Sequence, residues 1–123
     1  MLEENDIVAF VATTDLSRAR AFYGDTLGLN LIDDNPYACA FDAHGTTLRV
    51  SLVGEATIAP YTVLGWSVPD VDAAVRALVS RGVALERFEA MEQDDLGVWL
   101  APGGARVAWF KDPDGNVLSV SQA

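Results

Sequence analysis

The strongest constraint in this chain is an order of elements that occurs twice, at an offset of 55 residues pairing Asp15 with Asp70. The same offset pairs Val8 with Val63, Leu16 with Val71 and Ala19 with Ala74. Few identities accompany it, so the repeat rests on order and hydrophobic period. In the first copy, the β-prone run IVAFVA at 7–12 stops at Thr13, Thr14 and Asp15, an N-cap group. Apolar residues at helical spacing then run through Leu16, Ala19, Phe22, Tyr23 and Leu27, and Gly28 ends the helix. Three extended segments follow, at 29–34, 37–43 and 46–53, separated by Asn-Pro and His-Gly.

The second copy begins with YTVLGWSV at 61–68 and a helix from Asp70 to Gly82. Extended segments are predicted at 84–89, 97–101, 105–111 and 117–122. Asp112 to Asn116 has the chemistry of a tight hairpin turn, and Ala-Pro-Gly-Gly at 101–104 is a second turn. The simplest organisation is two β-α-β-β-β units, about 5–54 and 61–122, in one domain spanning 1–123.

Composition narrows the function classes. Half of the 123 residues are hydrophobic, which excludes a disordered chain. A net charge of −10 with no Lys/Arg cluster argues against nucleic-acid binding, where neutralising phosphates dominates affinity. No apolar run approaches the ~18 residues of a membrane helix, and the acidic start MLEEND is unlike a secretory signal. Cys39 has no partner for an intramolecular disulfide. The expectation is a cytoplasmic protein with neither membrane nor nucleic-acid partners.

DLSRARAFYGDTLGLNL at 15–31 and FKDPDGNVLSVSQ at 110–122 resemble the two signature stretches of the vicinal oxygen chelate superfamily. That superfamily includes glyoxalase I, extradiol dioxygenases, fosfomycin-resistance transferases and bleomycin-resistance proteins. The resemblance covers nearly the whole chain. It implies an α+β fold in which two βαβββ repeats form a curved mixed-sheet cup with helices outside, and it implies homodimers.

In metal-dependent members, the resemblance implies, each repeat gives His, Gln or Glu ligands from its first and last strands. Carried onto this chain, those positions are Val8, Val63, Ser119 and either Arg49 or Ser51. None is a ligand for a catalytic divalent ion, which needs about three N, O or S donors. His44, the one histidine, lies in a turn. No metal and no other cofactor is therefore expected.

Strand alternation places Phe10 with Val8, Gly65 and Ser67 with Val63, and Val117 and Ser121 with Ser119. Registration with the family, the resemblance implies, places Trp109 inward with Val107 and Phe110 outward. The expected ligand-binding set is Val8, Phe10, Arg49, Ser51, Val63, Gly65, Trp109, Ser119 and Ser121. An inward Arg49 must either pair, with Asp42 or Glu55 as candidates, or meet an anionic ligand group. The acids Glu86, Glu89, Glu92, Asp94 and Asp95 form a solvated face by default, and would attract a cation if they rimmed the cup. Cys39 reads as a buried small hydrophobe and Tyr23 as core.

The expected function is metal-independent binding of a small molecule of the glyoxalase/bleomycin-resistance type, sequestering an aromatic or cationic compound. Two other readings stand beside it. One is a glyoxalase-like lyase or related metal-dependent enzyme; the other is a regulatory or accessory interaction module whose cup is filled by its own side chains.

Overall fold

The computed structural model describes all 123 residues, and its contacts divide them into two compact units, Met1–Ile58 and Ala59–Ala123. Both repeat limits read from the sequence fall inside these units. Each unit is a four-stranded mixed sheet with one helical segment between its first and second strands, and both have the same topology; a short 3-10 turn, Leu2–Glu4, precedes unit 1's first strand.

In unit 1, β1 (Val8–Thr13) leads into α1 (Leu16–Arg20), then β2 (Asn30–Asp34), β3 (Ala38–Ala43) and β4 (Thr46–Leu52), with sheet order β1-β4-β3-β2. β1 runs parallel to β4, and the other pairs are antiparallel. The Asp15 carboxylate accepts from the Arg18 amide at 3.1 Å, which caps a helix whose first N–H groups lack intrahelical partners. The sequence predicts one helix to Gly28. Instead α1 widens after five residues into a π-helical turn, Ala21–Thr26, in which the Leu27 amide reaches back to the Phe22 carbonyl at 2.9 Å. Gly28 then takes φ +79°, as a helix-terminating glycine should.

One face of this sheet is covered by the helix. Val11, Thr13, Cys39, Phe41, Leu48 and Val50 are buried there, together with Ala19 and Tyr23. Tyr23 is 1% exposed, edge-on to Phe22 at 5.1 Å and 6.1 Å from Phe41, so it belongs to the core as expected.

Unit 2 repeats the plan with β5 (Thr62–Ser67), α2 (Val71–Ser80), β6 (Trp99–Leu100), β7 (Arg106–Lys111) and β8 (Val117–Gln122), in the order β5-β8-β7-β6. Asp70 caps α2 through the Ala73 amide at 3.1 Å, and Gln122 adds a second cap by accepting from the Val71 amide at 2.9 Å. Val71, Val75 and Leu78 pack the helix onto Ala108, Phe110, Leu118 and Val120.

The extended segment expected at 84–89 does not form. Only Leu85 bridges to Phe110, and the Glu86 amide bonds the Trp109 carbonyl at 2.8 Å. The reason lies in Gln93, whose side chain replaces a strand neighbour. Its amide nitrogen donates to the carbonyls of Glu86 (2.9 Å) and Gly97 (2.8 Å), and its oxygen accepts from the Phe88 amide (2.8 Å). Backbone groups satisfied this way have no need of a ladder. β6 is correspondingly short, two residues against the five predicted. No helix is long and apolar enough to cross a membrane.

Candidate functional site

Each sheet has a second face, free of the helix, and eight of the nine residues expected to bind ligand lie on these two faces; Val63, expected inward by alternation, is instead the unpaired residue of a bulge in β5. In unit 2, Gly65, Ser119 and Trp109 stand in one row across β5, β8 and β7, and Ser67, Ser121, Val107 and Trp99 form the next. Phe110 is 1% exposed on the opposite side, where Trp66 stacks on it at 6.4 Å. Trp109 is on the uncovered face and Phe110 on the helix face, as expected, and Trp66 joins Phe110 on the helix face.

The rings on the uncovered face form a wall. Trp99 and Trp109 are 6.0 Å apart with planes tilted by 38°, and Phe88 meets Trp109 edge-on at 5.5 Å. The Trp109 indole N–H donates to the Thr62 hydroxyl at 3.0 Å, which fixes the ring's rotation. Gly65 lies beneath Ser119 at close range: a Cβ built at position 65 would come 2.6 Å from the Ser119 Oγ. Any larger residue would displace that hydroxyl, which belongs to a residue only 9% exposed.

Thr62 was not among the expected site residues, because strict alternation puts it on the face opposite Val63. The ladder slips between Thr62 and Leu64, so Val63 is an extra residue and Thr62 turns to the Trp109 side. Phe88 was hidden for a different reason: it sits in the loop that the sequence predicts as a strand. Trp99 carried no signal beyond its size.

In unit 1 the uncovered face carries three rows across β1, β4 and β3: Val8, Thr47 and Asp42; Phe10, Arg49 and Ala40; Ala12, Ser51 and Ala38. A bulge in β2 brings Asp33 into the middle row beside Ala40. Phe10 is 62% exposed, a large apolar ring facing water. Arg49 and Ser51 share this face, and the ladders settle their register. Phe10 and Gly65 are related by the repeat offset; Phe10 pairs with Arg49 and Gly65 with Ser119, so Arg49 is the counterpart of Ser119.

Arg49 forms no ion pair with Asp42 or Glu55. The Asp42 carboxylate instead accepts from the Gly45 amide at 3.0 Å, closing the turn in which exposed His44 adopts φ +50°. The acids of residues 86–95 are partly engaged within the unit. Glu86 lies 3.4 Å from Lys111, and Asp94 binds the amides of Leu96 and Val98 and lies 3.6 Å from Arg106. Arg106 also bonds Asp72 at 2.8 Å, and that bond raises its guanidinium pKa further.

The residues do not fit a divalent metal. The positions the family resemblance assigns to ligands are two exposed valines, a serine and an arginine, and no three His, Cys, Asp or Glu side chains gather anywhere in the chain. Cys39 is fully buried and burial pushes its thiol pKa up, so it stays protonated at neutral pH and is a poor nucleophile. On the helix side of unit 1, a cleft of about 360 Å³ lies between the helical segment and β2. It contains none of the nine expected residues, and its Arg20 is already held by Asp34 at 3.0 Å and Ser17 at 3.1 Å.

Comparison with known proteins agrees with this architecture. A structure of a glyoxalase family protein from Enterococcus faecalis covers 98% of this chain and 99% of its own, with a TM-score of 0.76 at 16% identity. A member of the glyoxalase/bleomycin resistance protein/dioxygenase superfamily from Sphaerobacter thermophilus is 25% identical, with a TM-score of 0.70 over 98% of this chain and 99% of its own. Lactoylglutathione lyase from Agrobacterium tumefaciens is 19% identical, with a TM-score of 0.72 over 97% and 95% of the two chains. No curated protein matches by sequence. The family model described as Glyoxalase/Bleomycin resistance protein/Dioxygenase superfamily matches residues 6–120, and with the paired βαβββ topology this chain belongs to that superfamily.

Proposed function

We propose that this protein is a metal-independent small-molecule-binding member of its superfamily that sequesters a planar, aromatic compound. The observation that carries this reading is the wall of Trp109, Trp99 and Phe88, with Trp109 in the row of Ser119 and Trp99 in the row next to it, on a sheet face with no metal donors. Apolar and aromatic walls with a few polar groups are the usual make-up of a small-molecule site. The cationic form of the reading has less support, because Glu86 and Asp94 already make contacts within their own unit. Binding alone suffices for sequestration, and no turnover is implied.

The chain acts as a homodimer in this reading, since Phe10, Leu31, Ile32, Tyr37 and Tyr61 all expose large apolar surface. The similarity to a lactoylglutathione lyase is a similarity of fold at 19% identity, and the donor set argues against carrying that activity over.

Trp109→Ala tests the site. It removes a stacking surface contributing about 0.5–1.5 kcal/mol, so binding of a neutral planar probe such as 2-naphthol should weaken about three- to tenfold. Trp66→Phe, on the helix face, should leave affinity unchanged. Calorimetric titration of the three proteins decides it; equal affinity in all of them would remove the aromatic wall from the site.

A further inference from the structure

We infer that Arg49 is the anchor of an anion site on the uncovered face of unit 1, selective for a compact monoanion of the carboxylate class. The inference deepens the proposed function, on which it rests for the idea that the uncovered faces receive small molecules.

The starting point is an unmatched charge. Three basic residues lie on strands: Arg106 bonds Asp72, Lys111 lies against Glu86, and Arg49 has neither an ion pair nor a side-chain hydrogen bond. Arg49 is only partly exposed, on the central strand of its sheet between β1 and β3. A partly buried guanidinium that makes no direct ion pair is costly unless it meets an anion. Its planar fork of N–H groups matches the two oxygens of a carboxylate.

The surroundings suit a small ligand. Thr47 and Ser51 flank Arg49 on the same strand face, and neither hydroxyl has a partner in the chain, so three donors line one strand at two-residue intervals. On the β3 side the facing residues are the buried Ala38 and Ala40; on the β1 side the exposed ring of Phe10 stands directly across from Arg49.

The charge count selects the anion. One guanidinium is set against Asp42 and Asp33 on the same face, in a chain of net charge −10. With two carboxylates already outnumbering the guanidinium, an added anion must bond Arg49 directly and carry little charge, and a phosphate dianion would be repelled more strongly than a monoanion. Asp42 is held by the Gly45 amide and Asp33 by the Asn35 side-chain amide at 3.4 Å, so neither is committed to Arg49.

The test is an NMR titration of the full chain, following the β4 amides and the Arg49 Nε–H group. Sodium acetate is the probe, with sodium phosphate at matched ionic strength beside it. Saturable shifts centred on Arg49 are expected with acetate and weaker ones with phosphate. In Arg49→Gln the acetate affinity should fall about tenfold or more, with Arg49→Lys between, and the remaining amide spectrum should be unchanged. Three results would overturn the assignment: no acetate response at Arg49, a stronger response to phosphate, or an Arg49 Nε–H signal that shifts in Asp33→Asn and so reveals an internal ion pair. A parallel titration with neutral 2-naphthol separates the two readings. Naphthol binding without an acetate response removes only the anion site; an acetate response without naphthol binding leaves the anion site and removes the aromatic one.

Discussion

Phe110→Ala should destabilise unit 2 by about 3–5 kcal/mol, the largest single effect anticipated here. Phe110 is 1% exposed, faces Leu118 across the ladder, stacks on Trp66 and lies under α2, whose Val71 and Val75 are fully buried. Truncation to alanine loses the transfer energy of the ring and leaves a void that packed neighbours fill only in part. Phe110→Leu keeps most of the volume and should cost under about 1.5 kcal/mol. Urea unfolding followed by tryptophan fluorescence is the suitable measurement, because Trp66, Trp99 and Trp109 all belong to unit 2. A loss below about 1 kcal/mol for the alanine variant would mean that the ring is not part of the core.

The second large effect is expected at Asp112, in the turn between β7 and β8. Its carboxylate is 6% exposed and accepts from the amides of Asp114 (3.0 Å) and Asn116 (2.9 Å) and from the Asn116 side chain (2.8 Å). Gly115, at φ +94°, completes a turn that delivers β8 in register beside β7. Bonds to a charged group contribute about 1.5–3 kcal/mol each and are not additive, so Asp112→Ala should cost about 3 kcal/mol and lower Tm by roughly 10 °C. Asp112→Asn keeps one oxygen for the two backbone amides but cannot accept from Asn116 with its NH2 group. It should recover about half of the loss in the same thermal scan. Equal Tm values for wild type and Asp112→Ala would show that the backbone alone holds the turn.

These two positions also illustrate what was legible in the sequence. Both helix starts could be read because a capping aspartate is a local device: Asp15 and Asp70 each bond an amide three residues on. The DPDGN turn was readable for the same reason. Strand faces could be read wherever alternation is unbroken, which placed Trp109 and Phe110 on opposite sides correctly. Non-local features were not legible. Gln93 satisfies backbone groups of residues 86, 88 and 97 through its side chain, and nothing in the local pattern of 84–89 distinguishes that loop from a strand. The π-helical turn at Ala21–Thr26 keeps a spacing close enough to an α-helix to pass as one.

The candidate site follows the same division. Val8, Phe10, Gly65, Ser119 and Ser121 fall where alternation predicts, on the uncovered faces. Thr62 was hidden by a bulge and Phe88 by the Gln93-pinned loop. Arg49 could be recognised as unusual in an apolar strand, but only the fold shows that neither Asp42 nor Glu55 answers it. Membership of the superfamily leaves the chemistry open, because one fold hosts more than one activity.

The most direct test of metal-free binding is thermal unfolding of the intact protein, purified without chelator. Scans would include divalent metals with and without chelator, beside a panel of neutral planar aromatics. A compound present at ~100 times its Kd adds about 2.7 kcal/mol of stability, several degrees in Tm at this size. Stabilisation by at least one aromatic, with Tm indifferent to metals and chelator, is the predicted result. A saturable metal stabilisation abolished by chelator would contradict it and restore a metal-dependent enzyme as the reading of this chain.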